Sequence, residues 1–268
     1  MTLATNLTKQ TDGKAFTKAL GQSRLRTAVL ANPDMELALR NFARVHQAFE
    51  HPLFKALRTK KITAEAAGRL LKNYDAHASH LRRLLLKAAT IMPESAVGFI
   101  LENVRNEYGN GVDSERHQLQ LQDVAFSAGV SREQYKNFAV EKSVKTFIKA
   151  VTPLYFPIEQ HTTKHSPQVK EQTRSLSKAA IAAGAITATE LMAVEEFKAL
   201  QIAFQQFSLQ DHIWFDHVRV EEEHSGDSIA LALYFLNHNQ SFEAVEFGLT
   251  GVLNANMHLY DGLLATLT

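Results

Sequence analysis

A chain of 268 residues with 45% apolar side chains is long enough to bury a sizeable core. Its 29 basic and 28 acidic side chains leave a net charge of +1, which gives no electrostatic reason to expect nucleic acid or an anionic membrane surface as a partner. The chain has no cysteine, which excludes disulfide scaffolds, thiolate metal sites and cysteine nucleophiles. Any metal must therefore be held by nitrogen and oxygen.

The hydrophobic pattern divides the chain into an arm and one helical domain. Residues 1–32 are polar and lack a sustained period, so we expect a loosely ordered or partly helical arm there. Over 33–268 the apolar period is helical, with neither strand-like alternation nor a repeat. We therefore predict one all-α domain. No window of 18 apolar residues and no charged-then-apolar leader occur, which indicates a cytoplasmic protein that does not enter a membrane.

The predicted helices begin and end at residues that favour such boundaries. A first helix over 34–49 stops near His51, because a residue before proline avoids the α region. Thr63 is the expected N-cap of a long helix over 63–92, and Pro93 starts another that runs to the glycines at 109 and 111. Further helices are predicted over 112–129, from Ser131, and, after the proline-punctuated segment 153–167, over 168–184, 188–210, 211–237 and 241–266.

The segment FDHVRVEEEH holds His217, Glu221 and His224 at a four-then-three spacing. On an α-helix these three positions lie within roughly 20–60° of one another. Imidazole, carboxylate and imidazole on one face suit a first-row metal ion. The alternative interpretation is a chance polar stripe on a solvated helix, which the run of glutamates at 221–223 would also produce.

A second carboxylate–imidazole pair flanks a glycine turn. Glu107 ends one predicted helix and His117 lies within the first turns of the next, across Gly109 and Gly111. Two antiparallel helices joined by so short a turn would bring the two side chains close together. A polar helix end followed by glycine is also an ordinary structural feature, so the pair alone does not establish a metal site.

Three further sets of residues are less specific. Glu159 lies among apolar residues in LYFPIEQHTTKH, and a buried carboxylate is costly unless it is paired or bound to a metal. His77 and His80 either line the same interior or lie on a helix surface, and we favour the surface. Arg82, Arg83 and Lys170 would pair with a substrate carboxylate or, as we favour, are surface bases.

The order of these elements resembles the haem-oxygenase-like superfamily, which includes TenA-like thiaminases, pyrroloquinoline quinone synthase (PqqC-like) and a CADD-like branch of non-haem diiron oxidases. The resemblance covers residues 36–235. It depends on the HPLF segment at 51–54, on Glu-x-Gly followed by His at 107–117, on the Gly-Val-Ser turn at 129–131, and on the late triplet at 217–224. It implies a single-domain haem-oxygenase-like helical bundle.

The resemblance also implies a set of metal ligands. Glu221 stands where the diiron branch more usually has aspartate. The distance from Glu159 to His217 along the chain is longer than usual, so Glu190 is a rival for the ligand from the middle of the chain. The implied ligands are Glu107, His117, Glu159, His217, Glu221 and His224.

The function implied by this resemblance is that of a non-haem diiron oxidase or oxygenase. It would bind Fe(II), about two ions per chain, with Mn(II) as the alternative metal. Its partners would be O2, a small organic carboxylate such as an amino acid or a fatty acid, and an external electron donor.

Several alternatives stay open. The same fold is compatible with a cofactorless PqqC-like oxidase, with a haem-binding protein or with a non-catalytic binding protein, whereas the absence of cysteine argues against thiaminase-type hydrolysis. The apolar C-terminal helix over 241–266 forms either core or a homodimer face, and core is the favoured interpretation.

Overall fold

The structure, a computed structural model, describes residues 23–156, 177–239 and 241–268, with only the backbone of 217–224 and 239. Within these residues all regular structure is helical, so the all-α prediction is confirmed. No helix in the described ranges is long and apolar enough to cross a membrane.

Eleven α-helices account for most of the described chain, and short 3₁₀ turns connect several of them. The helices are α1 (Arg24–Leu30), α2 (Met35–Arg44), α3 (Pro52–Thr59), α4 (Ala64–Ala89), α5 (Glu94–Glu107), α6 (His117–Ser127), α7 (Arg132–Asn137), α8 (Lys142–Tyr155), α9 (Lys178–Phe204), α10 (His217–Asn239) and α11 (Phe242–Ala265).

Two helix starts follow the sequence prediction because their caps are local. The Thr63 hydroxyl accepts a hydrogen bond from the Ala66 N–H at 3.1 Å and so begins α4. Ser131 and Gln134 form a capping box, in which each side chain accepts from the other residue's backbone N–H, and so begin α7. Both predictions are confirmed.

Several predicted boundaries are wrong. The helix predicted over 34–49 ends as an α-helix at Arg44, and a 3₁₀ turn follows over Gln47–Glu50. The predicted stop at His51 is confirmed, and Pro52 then begins α3, which the His51 ring caps by accepting from the Leu53 N–H at 3.1 Å. The helix predicted over 112–129 begins only at His117, after two 3₁₀ turns. The predicted break at 185–187 does not exist, because α9 continues through it.

The core of the molecule is the contact between α9 and α11. Gly184 of α9 and Gly248 of α11 let the two backbones approach closely. A Cβ on Gly184 would overlap the carbonyl oxygen of Val245, and one on Gly248 would overlap that of Ile181. Helix α11 is thus core, as the sequence favoured, and the apolar residues of both helices are buried between their neighbours.

Helix α1 packs on this core although the sequence places it in the N-terminal arm. Leu25 and Val29 are buried, and the Glu246 carboxylate accepts from the Ser23 hydroxyl at 2.6 Å and from the Leu25 N–H at 3.1 Å. Residues 1–22 lie outside the described part of the chain. The boundary at residue 32 stays a prediction.

The close approach of α9 and α11 predicts opposite effects for two glycine substitutions. Gly248→Ala forces the helices apart and should lower the free energy of unfolding by about 3 kcal/mol. Gly98→Ala, on α5, meets nothing within 4 Å and should raise it by roughly 0.5–1 kcal/mol, because alanine loses less backbone entropy in a helix. Urea unfolding of both variants measures this. A shift of the same sign in both would contradict the packing argument.

Candidate metal centre

A cavity of about 80 Å³ lies among the long helices of the bundle. Its aromatic wall consists of Tyr74, Phe147, Tyr155, Phe197 and Trp214. The ionisable side chains that also line it are Asp75, His77, Arg82, Glu107, His117, Glu190 and Glu196. Such a mixture of apolar walls and converging polar groups is typical of small-molecule sites.

Glu107 and His117 are brought together by the glycine turn between α5 and α6. Gly109 and Gly111 have φ values of +75° and +93°, and Asn110 between them is also left-handed, so the chain reverses within three residues. A Cβ on Gly109 would lie 2.7 Å from the Arg116 nitrogen, so this position requires glycine. The Glu107 Oε1 and His117 Nδ1 atoms are 3.1 Å apart.

A chain of polar contacts runs from the other oxygen of Glu107 into the bundle. The Arg82 guanidinium lies 3.7 Å from Glu107 Oε2 and donates to the Ser79 hydroxyl at 2.9 Å. Ser79 in turn donates to Asp75 at 2.7 Å, and the Tyr135 hydroxyl donates to the same carboxylate at 3.2 Å. Arg82 is buried, so its interpretation as a surface base is wrong. These contacts hold a buried positive charge beside the Glu107 carboxylate.

Glu190 of α9 lines the same cavity as Glu107 and His117. It is buried, and its Oε1 accepts a hydrogen bond from the Asn103 side chain of α5 at 2.8 Å. Its rival Glu159 lies outside the described residues. Glu190 is therefore the one of the two that the structure describes, and its carboxylate is held in the wall that also carries the glutamate–histidine pair.

The triplet of His217, Glu221 and His224 occupies the first turns of α10, whose side chains in that stretch are not described. Two hydrogen bonds define how α10 packs. The Thr187 hydroxyl of α9 donates to the Ser228 carbonyl at 2.8 Å, and Tyr234 of α10 shares a hydrogen bond of 2.6 Å with a serine of α5. The triplet helix thus lies against the helices that carry Glu190 and Glu107.

The donors that the structure describes have the chemistry of metal ligands but do not form a complete site. Imidazole and carboxylate groups, with no thiolate in the chain, are the donors that Fe(II) and Mn(II) accept. Among the side chains that the structure describes, no three acidic or histidine groups are close enough to hold a metal ion by themselves. Glu107, His117 and Glu190 therefore need ligands from elsewhere to make a complete site.

His77 belongs to the cavity wall, so its interpretation as a helix-surface residue is wrong. It is 3% exposed, and its ring packs edge-on against Tyr74 and Phe147, at centroid distances of 4.4 and 5.7 Å. Burial lowers the pKa of His77 to about 3, a shift that the neighbouring Asn73 carbonyl only partly opposes. The ring is therefore neutral at physiological pH. His80, three residues later, is half-buried and bonded to Thr152.

Glu196 is a site residue that the sequence did not reveal. It is 6% exposed, and its two carboxylate oxygens accept hydrogen bonds from the hydroxyls of Tyr74 and Tyr260, at 2.7 and 2.6 Å. Burial raises the pKa of Glu196, while the two hydrogen bonds oppose that shift. The available signal was an acidic residue within the long apolar sequence of α9, but its partners lie on α4 and α11.

The buried, neutral His77 predicts a specific loss of stability in acid. Between pH 6.5 and about 3 the unfolded chain binds a proton at this residue that the folded chain does not, so stability falls as the pH falls. The wild type should lose about 1.4 kcal/mol of stability at this residue for each pH unit below about 6.5. His77→Gln, which replaces the ring by an amide, should not show this loss. Urea unfolding of metal-free wild type and variant, at about pH 7.5 and pH 5.5, measures the difference. Equal pH dependence in the two proteins would contradict the assignment.

Comparison with known proteins identifies a family and a fold. Residues 69–257 match a family model described as an iron-containing redox enzyme. A CADD-like protein of unknown function from Nostoc punctiforme has a similar structure, with a TM-score of 0.61, 13% identity, and coverage of 96% of this chain and 99% of that one. A second crystal structure with the same description gives a TM-score of 0.61 and 14% identity, over 85% of this chain and 91% of the other.

A domain of unknown function with a haem-oxygenase-like fold, from Shewanella denitrificans, gives a TM-score of 0.58 and 12% identity, over 85% of this chain and 88% of that one. Among curated proteins, none matches the sequence significantly. At these identities the structural similarity establishes the fold, whereas the family model covers more than half of the chain. The chain adopts the haem-oxygenase-like helical fold and belongs to the family of iron-containing redox enzymes.

Proposed function

We propose that this protein is a non-haem diiron enzyme that uses O2 to oxidise a small organic molecule. The observation that carries the proposal is the convergence of Glu107, His117 and Glu190 on one cavity, beside the helix that holds a histidine–glutamate–histidine triplet. Membership of an iron-containing redox family supports the same conclusion.

The proposed ligand set takes one group of residues from each half of the chain. The first half contributes Glu107 and His117, and α9 contributes Glu190 in preference to Glu159. On α10, positions 217, 221 and 224 share a helix face with position 228, since the intervals of four, three and four return to the same side. Ser228 is buried and its carbonyl is bonded to α9, which supports a triplet that faces Glu190.

Iron(II) held by these nitrogen and oxygen donors would supply O2 reduction, since such sites leave coordination positions open. Other residues of the chain orient the proposed ligands and set the charge around them. Asn103 donates a hydrogen bond that orients the Glu190 carboxylate, and Arg82 places a positive charge beside Glu107. The carboxylates would balance the charge of the metal ions, and imidazole would provide neutral donors.

The cavity walls limit what the substrate can be. Phe147, Phe197 and Trp214, together with Leu81 and Leu259, form an apolar wall next to the proposed ligands and favour an apolar part of the substrate. We propose a small carboxylate, an amino acid or a fatty acid, as the substrate. An external donor would supply any electrons that the substrate does not.

The assignment of Glu190 predicts which glutamate is needed for iron binding. After anaerobic loading with Fe(II), the wild type should hold about two irons per chain, and His117→Ala and Glu190→Gln should each hold less, because removing a ligand weakens the site. Glu159→Gln, the matched control, should keep the wild-type content. Iron is measured by a chelator assay after desalting. The reverse result for the two glutamates would make Glu159 the ligand, and no iron in the wild type would favour a cofactorless enzyme.

The proposed redox activity predicts a response to O2. On mixing with O2, the Fe(II)-loaded wild type should consume O2 and show a transient change in visible absorbance, whereas His117→Ala, treated identically, should do neither. An oxygen electrode and stopped-flow spectroscopy measure the two responses. Iron binding without O2 consumption, with or without the proposed substrates, would contradict the oxidase assignment.

A further inference from the structure

Glu196 joins two tyrosines from different helices in the interior of the bundle. Tyr74 of α4 donates to Oε2 at 2.7 Å, and Tyr260 of α11 donates to Oε1 at 2.6 Å. Tyr74 is 4% exposed and Tyr260 is fully buried. One buried carboxylate therefore serves as the shared hydrogen-bond acceptor of two buried phenols.

The two tyrosines bonded to Glu196 face different parts of the molecule. Tyr74 lines the cavity and packs edge-on against Trp214, at a centroid distance of 5.8 Å. Tyr260 packs against the His51 ring, at 5.5 Å. His51 Nδ1 accepts from a backbone N–H, so its Nε2 carries the proton directed at Asp261, 3.3 Å away. The Asp261 side chain is 64% exposed, so the contacts from Tyr260 through His51 end at the protein surface.

We propose that Tyr74, Glu196 and Tyr260 form a relay that carries single electrons between the metal centre in the cavity and the protein surface at Asp261. The inference rests on the proposed function, since it takes the oxidised iron centre as the one-electron oxidant. The donor at the surface end would be a one-electron reductant, which fits the external electron donor expected for such an enzyme.

A shared base is what makes such a relay possible. A phenol that loses an electron becomes strongly acidic, and in an apolar interior the resulting cation is too costly to form unless its proton moves to a neighbour at once. Each of the two tyrosines has a carboxylate oxygen of Glu196 within hydrogen-bond distance. Burial raises the pKa of this carboxyl, which makes its anion a better base.

The transfer balances in three steps. First, Tyr74 gives an electron to the oxidant and its hydroxyl proton to Oε2 of Glu196, leaving a neutral phenoxyl. Second, Tyr260 gives an electron to Tyr74, the Oε2 proton returns to Tyr74, and the Tyr260 proton moves to Oε1. Third, the external donor reduces Tyr260, which recovers its proton from Oε1. One electron has passed from donor to oxidant, with no net transfer of protons.

A label at the surface end tests the relay without iron. Because the chain has no cysteine, Ala265→Cys provides a single attachment site for a ruthenium polypyridyl photo-oxidant; Ala265 is exposed and lies one turn after Asp261 on α11. Flash oxidation in metal-free protein, followed by freezing, generates radicals that electron paramagnetic resonance detects. The hyperfine pattern of a tyrosyl radical depends on the ring dihedral angle. The spectrum of Tyr74→Phe, which lacks the Tyr74 radical, identifies the Tyr260 part of the wild-type spectrum.

The substitutions Tyr74→Phe, Tyr260→Phe and Glu196→Gln each remove one part of the relay. Tyr135→Phe is the matched control, because it removes another buried phenol bonded to a carboxylate, that of Asp75. All are tested in the labelled protein, with the helix content and melting temperature checked by circular dichroism.

The relay predicts both tyrosyl patterns in the wild type and in Tyr135→Phe. It predicts only the Tyr260 pattern in Tyr74→Phe, and loss of both in Tyr260→Phe and Glu196→Gln. A Tyr74 pattern that persists without the Tyr260 hydroxyl or the Glu196 carboxylate would overturn it, as would its absence from the wild type. Radical migration in metal-free protein does not depend on iron binding, so failure of the relay and failure of the proposed function are distinguishable.

Discussion

The close approach of α9 and α11 is the constraint on which the rest of the structure depends. Two glycines allow the backbones to touch, and this contact fixes α9 in the centre of the bundle. Helix α9 carries Glu190 and Glu196, two carboxylates that would be costly to bury alone. Each is compensated by a neighbouring helix: α5 through Asn103, and α4 and α11 through tyrosine hydroxyls. The close packing of the two backbones thus positions the two carboxylates that line the cavity.

Local sequence determines those parts of the molecule whose partners are close in the chain. The caps at Thr63 and Ser131 each use an N–H three residues away, so their residue types were sufficient to predict them. Glu107 and His117 are separated by a turn whose glycines have left-handed φ values, and these glycines allowed the turn to be predicted. In these cases one short segment contains the whole physical cause.

The remaining features could not be predicted because their causes lie far apart in the chain. In the sequence, Gly184 is typical of a helix end. In the structure it lies within α9, where the backbone at Val245 packs against it. Glu196 becomes a site residue only through tyrosines on two other helices, and His77 becomes buried only when Phe147 of α8 covers it. A single helical pattern cannot distinguish a polar residue in the cavity wall from one on the surface.

Trp214 gives the cavity an optical property of its own. It is the only tryptophan in the chain, it is 1% exposed, and it lines the cavity in contact with Tyr74 and Phe197. All indole fluorescence of the protein therefore originates at this one wall, next to the proposed metal ligands. The fluorescence of the unlabelled protein therefore responds to a molecule that enters that space. Binding of a metal ion or a substrate can be titrated by the quenching of Trp214 fluorescence.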